Sequence, residues 1–461
     1  MSTLFHYITS LSDFIWGYPL LILLIGGGIL MSFTLGFFQI RYLPFILKET
    51  FGKIFSKPEG EGTITPFQAA CSALASTVGA ANIVGVPVAI ATGGPGAVFW
   101  MWSVALIGQA TKFSEIILGI HYREKNSEGE FVGGPYYYLK KGLNAPILGA
   151  MCSFFFMLEI IPSISTQTLS VCQTAETIGI PKHITGILVA ILVGLVIFGG
   201  IKRIAKLTEK LVPIMASLFV IGTLLVVLIN FKNIPHAFAL IFKGAFTPTA
   251  AIGGFSGAAI AATLKAGMAR GTYSNEAGMG SAPIAHAAAV TDHPVRQAFW
   301  GVFGIIIDTM TICTMTALSV LTTDVWTKVS ANNAASMPAL VFQDTFGQIL
   351  GGGFMSLSML MFVLSTIIVI AFYCEKMAES LFGLKFAKFI RFIALAAIVY
   401  GSFGELENLF KILDFFLALV IIPNMIGVIG LRKTVKSLTN EFFSDPKYYP
   451  KASKNNKSKS A

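Results

Sequence analysis

The stretch STVGAANIVGVPVAIATGGPG, Ser76 to Gly96, lies in a run apolar enough to cross a bilayer. Yet it sets Ser76, Thr77, Gly79 and Asn82 in the middle of that run, and Pro87 five residues later. In lipid a broken backbone leaves N–H and C=O groups without water, so a break persists only where it lines a cavity or a ligand. Close helix packing is the competing reading, because Gly79, Ala80, Ala81 and Gly85 would also let two backbones approach. Asn82 favours the break, since an amide at mid-membrane needs polar partners.

Composition carries the class outward from that stretch. Of 461 residues 54% are hydrophobic and 12% charged, against about 25% charged in soluble domains, and the mean hydropathy is +0.74. The chain reads as an all-α polytopic membrane protein. A crossing needs about 20 apolar residues, and eleven segments qualify, at approximately 14–38, 64–92, 97–120, 147–174, 184–201, 211–231, 248–266, 297–323, 354–375, 388–403 and 408–431. No cleavable signal peptide is expected, because no basic residue precedes the first long apolar span.

The net charge of +10 is not a nucleic-acid signature, because of where it lies. Arg41, Lys48, Lys53 and Lys57 follow the first segment, and similar groups follow the third, fifth, seventh and ninth, with eight more basic residues from Arg432 onward. These loops and the tail hold 27 Lys and Arg, the intervening loops five, and Lys112 sits inside a segment. By the positive-inside rule the odd loops and the C-terminus face the cytoplasm and the N-terminus faces outward, in a cell membrane. The tail, residues 432–461, is basic, and its last run, KYYPKASKNNKSKSA, reads as disordered.

Cys71, Cys152, Cys172, Cys313 and Cys374 show no ligand spacing and read as small core residues. No Walker loop, HExxH or GxSxG pattern occurs, so neither an ATP-driven pump nor a membrane hydrolase is supported. No enzyme activity and no cofactor are expected. A channel would also contain broken helices, but the sequence has no repeated carbonyl-rich or charged-ring filter.

Interrupted segments at corresponding places in two halves point to a transporter site. Five segments after the first break, TPTAAIGGFSGAAIAATLKAG (Thr247–Gly267) carries Gly253, Gly254, Phe255, Ser256 and Gly257, and it crosses in the opposite direction. Residues 64–231 and 248–431 therefore read as two five-helix sets of inverted topology, with residues 1–40 supplying an extra helix. In FVLSTIIVIAFY (Phe362–Tyr373), Ser365 and Thr366 place two hydroxyls at the centre of the ninth segment. Such hydroxyls often bond back to their own helix, and they matter more if they face the break.

The runs TPFQAACSALASTVGAANIVGVPVAIATGGPGAVFWMW, VGGPYYYLKKGL, MARGTYSNEAGMGSAPIAHAAA, HPVRQ and DTMTICTMTAL resemble the alanine or glycine:cation symporter family, over about residues 14–431. The resemblance implies a leucine-transporter-type 5+5 inverted repeat plus one N-terminal helix, importing a small neutral amino acid with sodium as the coupling ion. Proton coupling is the alternative. It implies that Thr77, Gly79, Ala80, Ala81 and Asn82 form an unwound segment whose amides hold the substrate carboxylate. Gly253, Gly254, Phe255 and Ser256 would face the substrate's other side, and Gln167 would reach it from the fourth segment or bond between helices.

The same resemblance implies a sodium ion held by carbonyls of Ala75, Val78 and Phe362 and by the hydroxyls of Ser365 and Thr366, an oxygen shell suited to a hard cation. Two departures stand out. Val78 to Asn82 reads VGAAN where the family commonly has VGTGN, and Val369 and Ile370 replace a common Gly-Trp pair, so Ile370 changes the pocket shape. Lys112 and Glu115, three apart, are expected to pair with each other. Arg270 and Glu276 are expected to meet at an inner gate. Glu159, Asp308 and Asp414 could serve proton or substrate traffic, but structural hydrogen bonding is the first reading.

Overall fold

In the computed structural model, which describes residues 2–247 and 256–452, the break begins at a well-made helix start. Thr65 caps α2 (Pro66–Thr77): its hydroxyl accepts from Gln68 N–H while the Gln68 side chain accepts from Thr65 N–H, both at 3.1 Å, and Pro66 takes the first helical position. The helix ends at Val78, whose ψ of 86° is not helical. The chain resumes as α3 (Ala81–Gly93), bent by 47° from α2 and opening with a π turn at Ala81–Gly85.

Around this pair stand the other main helices: α1 (Tyr7–Thr34), α4 (Ala97–His121), α5 (Pro146–Glu176), α6 (Lys182–Ile197), α7 (Gly200–Ile229), α8 (Ile234–Phe246), α9 (Ser256–Asn275), α10 (Pro294–Thr322), α11 (Gln348–Phe382), α12 (Leu384–Gly401), α13 (Asn408–Gly430) and the polar α14 (Arg432–Ser444). Seven of these, α1, α4, α5, α7, α10, α11 and α13, are long and apolar enough to cross a membrane, and the bent α2–α3 pair makes eight. The other three expected segments correspond to α6, α9 and α12. Helix α6 has 16 residues, about 24 Å of rise against a hydrocarbon core of about 30 Å. Helix α9 carries Lys265 and Arg270, and α12 carries Lys385, Lys388 and Arg391. By length and composition alone, eight crossings stand among the described residues.

Two sequence expectations are corrected here. The first helix stops at Thr34 and not near residue 38, because Gly36 and Phe37 adopt positive φ (65° and 49°) and turn the chain. Helix α8 was not anticipated; it lies against α4, with Phe242 and Phe246 packed on Phe99.

Packing explains the outward apolar residues. Helix α7 exposes Ile214, Ile221, Leu225 and Leu228 on one side, while Val212, Met215, Phe219 and Val226 are buried on the other. Exposed apolar stripes of this kind suit lipid and not water. Inside, α5 packs against α11 and α13, α4 against α9 and α10, and α2 against α7 and α11. The break is thus enclosed on all sides.

At one end of the bundle α14 and the residues just after it close over the segment that follows α1, so Tyr448 and Tyr449, expected to be disordered, are instead packed by ring contacts. Phe443 stacks on Tyr42 with centroids 4.1 Å apart, Tyr449 lies edge-on to Phe45 at 5.0 Å, and the fully buried Phe442 packs against Phe299 and Tyr448. Arg296 on α10 joins them, pairing with Glu49 at 2.7 Å and with Asp292 at 2.9 Å.

Candidate functional site

The break frees backbone groups and then supplies side chains for them. In a continuous helix Gly79 N–H and Ala80 N–H would close onto the carbonyls of Ala75 and Ser76. Instead Gly79 N–H donates to Asn82 Oδ1 at 2.9 Å, and Ala80 N–H donates to Gln167 Oε1 at 2.8 Å. The Ala75 and Ser76 carbonyls are thereby released from the helical pattern. Gly79 is required sterically: a Cβ there would lie 2.5 Å from Thr366 Oγ1 and 3.0 Å from the Gln167 amide.

Across from the break, Thr366 Oγ1 lies 3.3 Å from the Val78 carbonyl and 3.0 Å from the Phe362 carbonyl. One hydroxyl hydrogen can serve only one of them. Val78 O, Phe362 O and Thr366 Oγ1 therefore form a convergent oxygen cluster with an acceptor lone pair to spare. Ser365 Oγ donates to the same Phe362 carbonyl at 2.9 Å and lies 3.3 Å from Met215 Sδ. All of these residues are buried. Swinging the Thr366 hydrogen aside would present neutral oxygens to a small hard cation.

Asn82 faces away from that cluster. Its Nδ2 donates to Asp308 Oδ1 at 2.6 Å and to Ser274 Oγ at 3.1 Å, and Ser274 and Thr309 donate to Asp308 Oδ2 at 2.8 and 2.7 Å. Asp308 sits in a π turn of α10, Ile306–Cys313, which lies against the π turn of α3. A single amide thus ties the break to α9 and α10. Asp308, expected first as a structural hydrogen-bonding group, accepts from Asn82, Ser274 and Thr309, whereas Ser274 went unassigned in the sequence.

Thr77 hydrogen-bonds back to Leu74 O at 3.1 Å. Together with Gln167 and Ile370 it lines a narrow cavity on the α2 side of the break, which also contains Glu159, Glu276, Tyr273 and Tyr373. Gln167 Nε2 lies 3.4 Å from Tyr273 OH. Gly253, Gly254 and Phe255 lie outside the described residues, and Ser256 begins α9.

Two expected pairs are not made. Arg270 binds Asp414 at 2.5 Å, while Glu276 Oε2 accepts from Ser76 Oγ at 3.1 Å and from Ser281 Oγ. The SNEAGMG segment leaves α9 at Glu276 with positive φ (55°), which directs the two side chains apart. Lys112 Nζ donates to the Asn275 carbonyl at 2.7 Å, and Glu115 Oε1 accepts from Gly278 N–H, Gly280 N–H and Asn424 at 3.0, 3.1 and 2.5 Å. A buried turn with unpaired amides claims the carboxylate ahead of an ion pair along one helix.

Comparison with known proteins adds an independent line. The sequence profile described as "Sodium:alanine symporter family" matches residues 1–458. The uncharacterized transporter YflA of Bacillus subtilis (strain 168) is 51% identical, covering 100% of this chain and 98% of that protein. The sodium/alanine symporter AgcS of Methanococcus maripaludis is 39% identical, covering 94% and 96%. Among solved structures, MhsT in complex with L-phenylalanine superposes with a TM-score of 0.61 at 14% identity, over 80% of this chain and 89% of that one. That likeness is one of fold, the leucine-transporter-type arrangement.

Proposed function

The chain belongs to the sodium:alanine symporter family, whose members are transporters, and from that premise we propose that it imports a small neutral amino acid coupled to sodium by alternating access. The observation that carries this reading is the cluster of Val78 O, Phe362 O and Thr366 Oγ1 at a helix break. We assign sodium to that cluster, with Ala75 and Ser365 completing the shell. The substrate carboxylate would displace Gln167 Oε1 from the Ala80 amide, at the positive end of α3. Thr77, Gly79, Ala81, Asn82 and Ile370 would line the site, and Gly253, Gly254, Phe255 and Ser256 would face the substrate's other side. Arg270 and Glu276 serve as gate residues through separate partners, Asp414 and Ser76. Sodium and substrate raise each other's affinity by linkage wherever both are bound.

The proposed topology has eleven crossings, an outward N-terminus and a cytoplasmic tail, with residues 64–231 and 248–431 as inverted halves. Neither a catalytic role nor a cofactor enters the mechanism.

The test is uptake of radiolabelled amino acids by the purified chain in proteoliposomes. Saturable uptake driven by an inward sodium gradient is expected, and uptake indifferent to sodium would overturn the coupling. In competition, glutamate should bind at least about tenfold more weakly than neutral amino acids, because the adjoining cavity offers no basic side chain to receive a second carboxylate and a buried unpaired charge is costly. Preferential inhibition by glutamate would refute this.

Gly79→Ala tests the break itself. The new methyl must push Thr366 and Gln167 aside, and overpacking of this kind costs about 1–3 kcal/mol, or roughly five- to hundredfold in activity. Sodium-driven uptake should fall by that factor with membrane insertion, measured by immunoblot, unchanged. Native uptake would mean that the neighbours yield freely.

A further inference from the structure

The cavity beside the break contains two carboxyl groups and no basic side chain in its lining. It has room for about one water molecule. Glu159, on α5, is 2% exposed, and its Oε1 has no hydrogen-bond partner among the described residues. Glu276 faces the same space from the turn after α9 and holds two hydroxyl donors, Ser76 and Ser281. The two acids differ in their means of support.

An ionised Glu159 would be a second buried charge next to Glu276 with one oxygen left bare. Like charges that share a dry site do not both ionise, and an uncompensated buried charge is among the most costly groups a protein can hold. The other titratable groups around Glu159 are Tyr273 on α9 and Tyr373 and Cys374 on α11. Lys112 on α4, bonded to the Asn275 carbonyl and outside the cavity lining, is the cation that acts on Glu276, and Arg270, itself paired with Asp414, acts on Tyr273. Lys112 is also shared with Glu115 and Asp308, so one buried ammonium stands among several carboxyls.

We propose that the Glu159–Glu276 cavity is a proton site: when the bundle closes, one proton is trapped on the Glu159 carboxyl, and when the cavity opens to water that proton is released. The step is a single protonation, in which the Glu159 carboxylate takes H⁺ from bulk water to give the neutral acid, and the reverse. Its place in the fold ties it to transport. The lining joins the last turn of α2 (Ser76, Thr77), the turn after α9 and the middle of α11, so opening any of them toward solvent hydrates Glu159. A proton is thus carried in addition to the cation at Thr366. This inference rests on the transport reading above.

The test holds the sodium gradient fixed and varies the pH gradient across proteoliposomes containing the full chain. For one coupled proton, a gradient of about one pH unit, alkaline inside, should raise the steady-state accumulation ratio by up to about tenfold. In Glu159→Gln, which keeps shape and removes the titration, sodium-driven uptake should persist with no response to the pH gradient. Glu159→Asp retains a carboxyl, so it should keep the response while moving the midpoint of the pH profile. Three outcomes overturn the proton site: native accumulation indifferent to the pH gradient, a native response retained in Glu159→Gln, or an unmoved profile in Glu159→Asp. Sodium-driven uptake without proton response removes this site alone, whereas absence of amino acid uptake under any gradient removes the transport reading. If Glu159→Gln is not recovered as folded protein, the native chain and Glu159→Asp decide. A native infrared carboxyl band that shifts in D₂O and moves in Glu159→Asp provides a readout independent of uptake.

Discussion

Thr366→Val is expected to raise the sodium concentration for half-maximal uptake by roughly ten- to hundredfold. The substitution keeps the branched shape and removes the one hydroxyl oxygen that lies between the Val78 and Phe362 carbonyls. Losing a ligand to a charged group costs about 1.5–3 kcal/mol, which gives that factor. Substrate affinity at saturating sodium should change much less, because the missing oxygen belongs to the ion. The measurement is uptake against sodium concentration for both proteins at equal membrane insertion. An unchanged sodium dependence would remove Thr366 from the cluster.

Asn82→Leu should do more damage, and sodium should not repair it. Leucine leaves Gly79 N–H without its 2.9 Å acceptor and deprives the buried Asp308 carboxyl of its 2.6 Å donor. Leaving a buried donor unsatisfied costs about 1–3 kcal/mol and losing a hydrogen bond to a charged group about 1.5–3 kcal/mol, together a loss of more than about fiftyfold. Uptake should therefore collapse at every sodium concentration, in contrast to the Thr366 variant. A double variant, Asn82→Leu with Asp308→Leu, removes both ends of the contact. Its thermal stability should exceed that of Asn82→Leu alone, the non-additivity expected of residues in direct contact. Purely additive losses would show that the amide does not bridge break and helix.

Much of the architecture is legible because lipid imposes simple rules. A run of some 20 apolar residues marks a crossing, and a run that carries glycine and an amide marks an interruption. That logic reaches the α2–α3 break, and the Ser365-Thr366 pair is visible by its position in an apolar helix. It misses α8, whose 13 residues are too few to register as a crossing. Side-chain partners were the least readable. Lys112 and Glu115 share a helix face, but the needs of the turn at 275–280 take both. Arg270 lies six residues from Glu276 yet reaches Asp414, 144 residues away. Spacing rules speak for one helix at a time, and these choices are made between helices. The acidic cavity is hidden for the same reason, because Glu159 and Glu276 meet only after α5 and α9 have docked.

The aromatic knot at the end of the bundle also sets an order of events during synthesis. Tyr42 and Phe45 emerge early, but Phe443 and Tyr449, their stacking partners, follow about 400 residues later. At about 5–20 residues per second the wait is roughly 20–80 s. Throughout that interval Tyr42 lacks its stacking partner, while Phe45 gains a neighbouring ring only when Phe299 at the start of α10 has been made. Only a ribosome that has reached the last helix can fasten the two ends of the chain together. A nascent chain stalled before Arg432 would hold every crossing helix while its two ends remained unfastened.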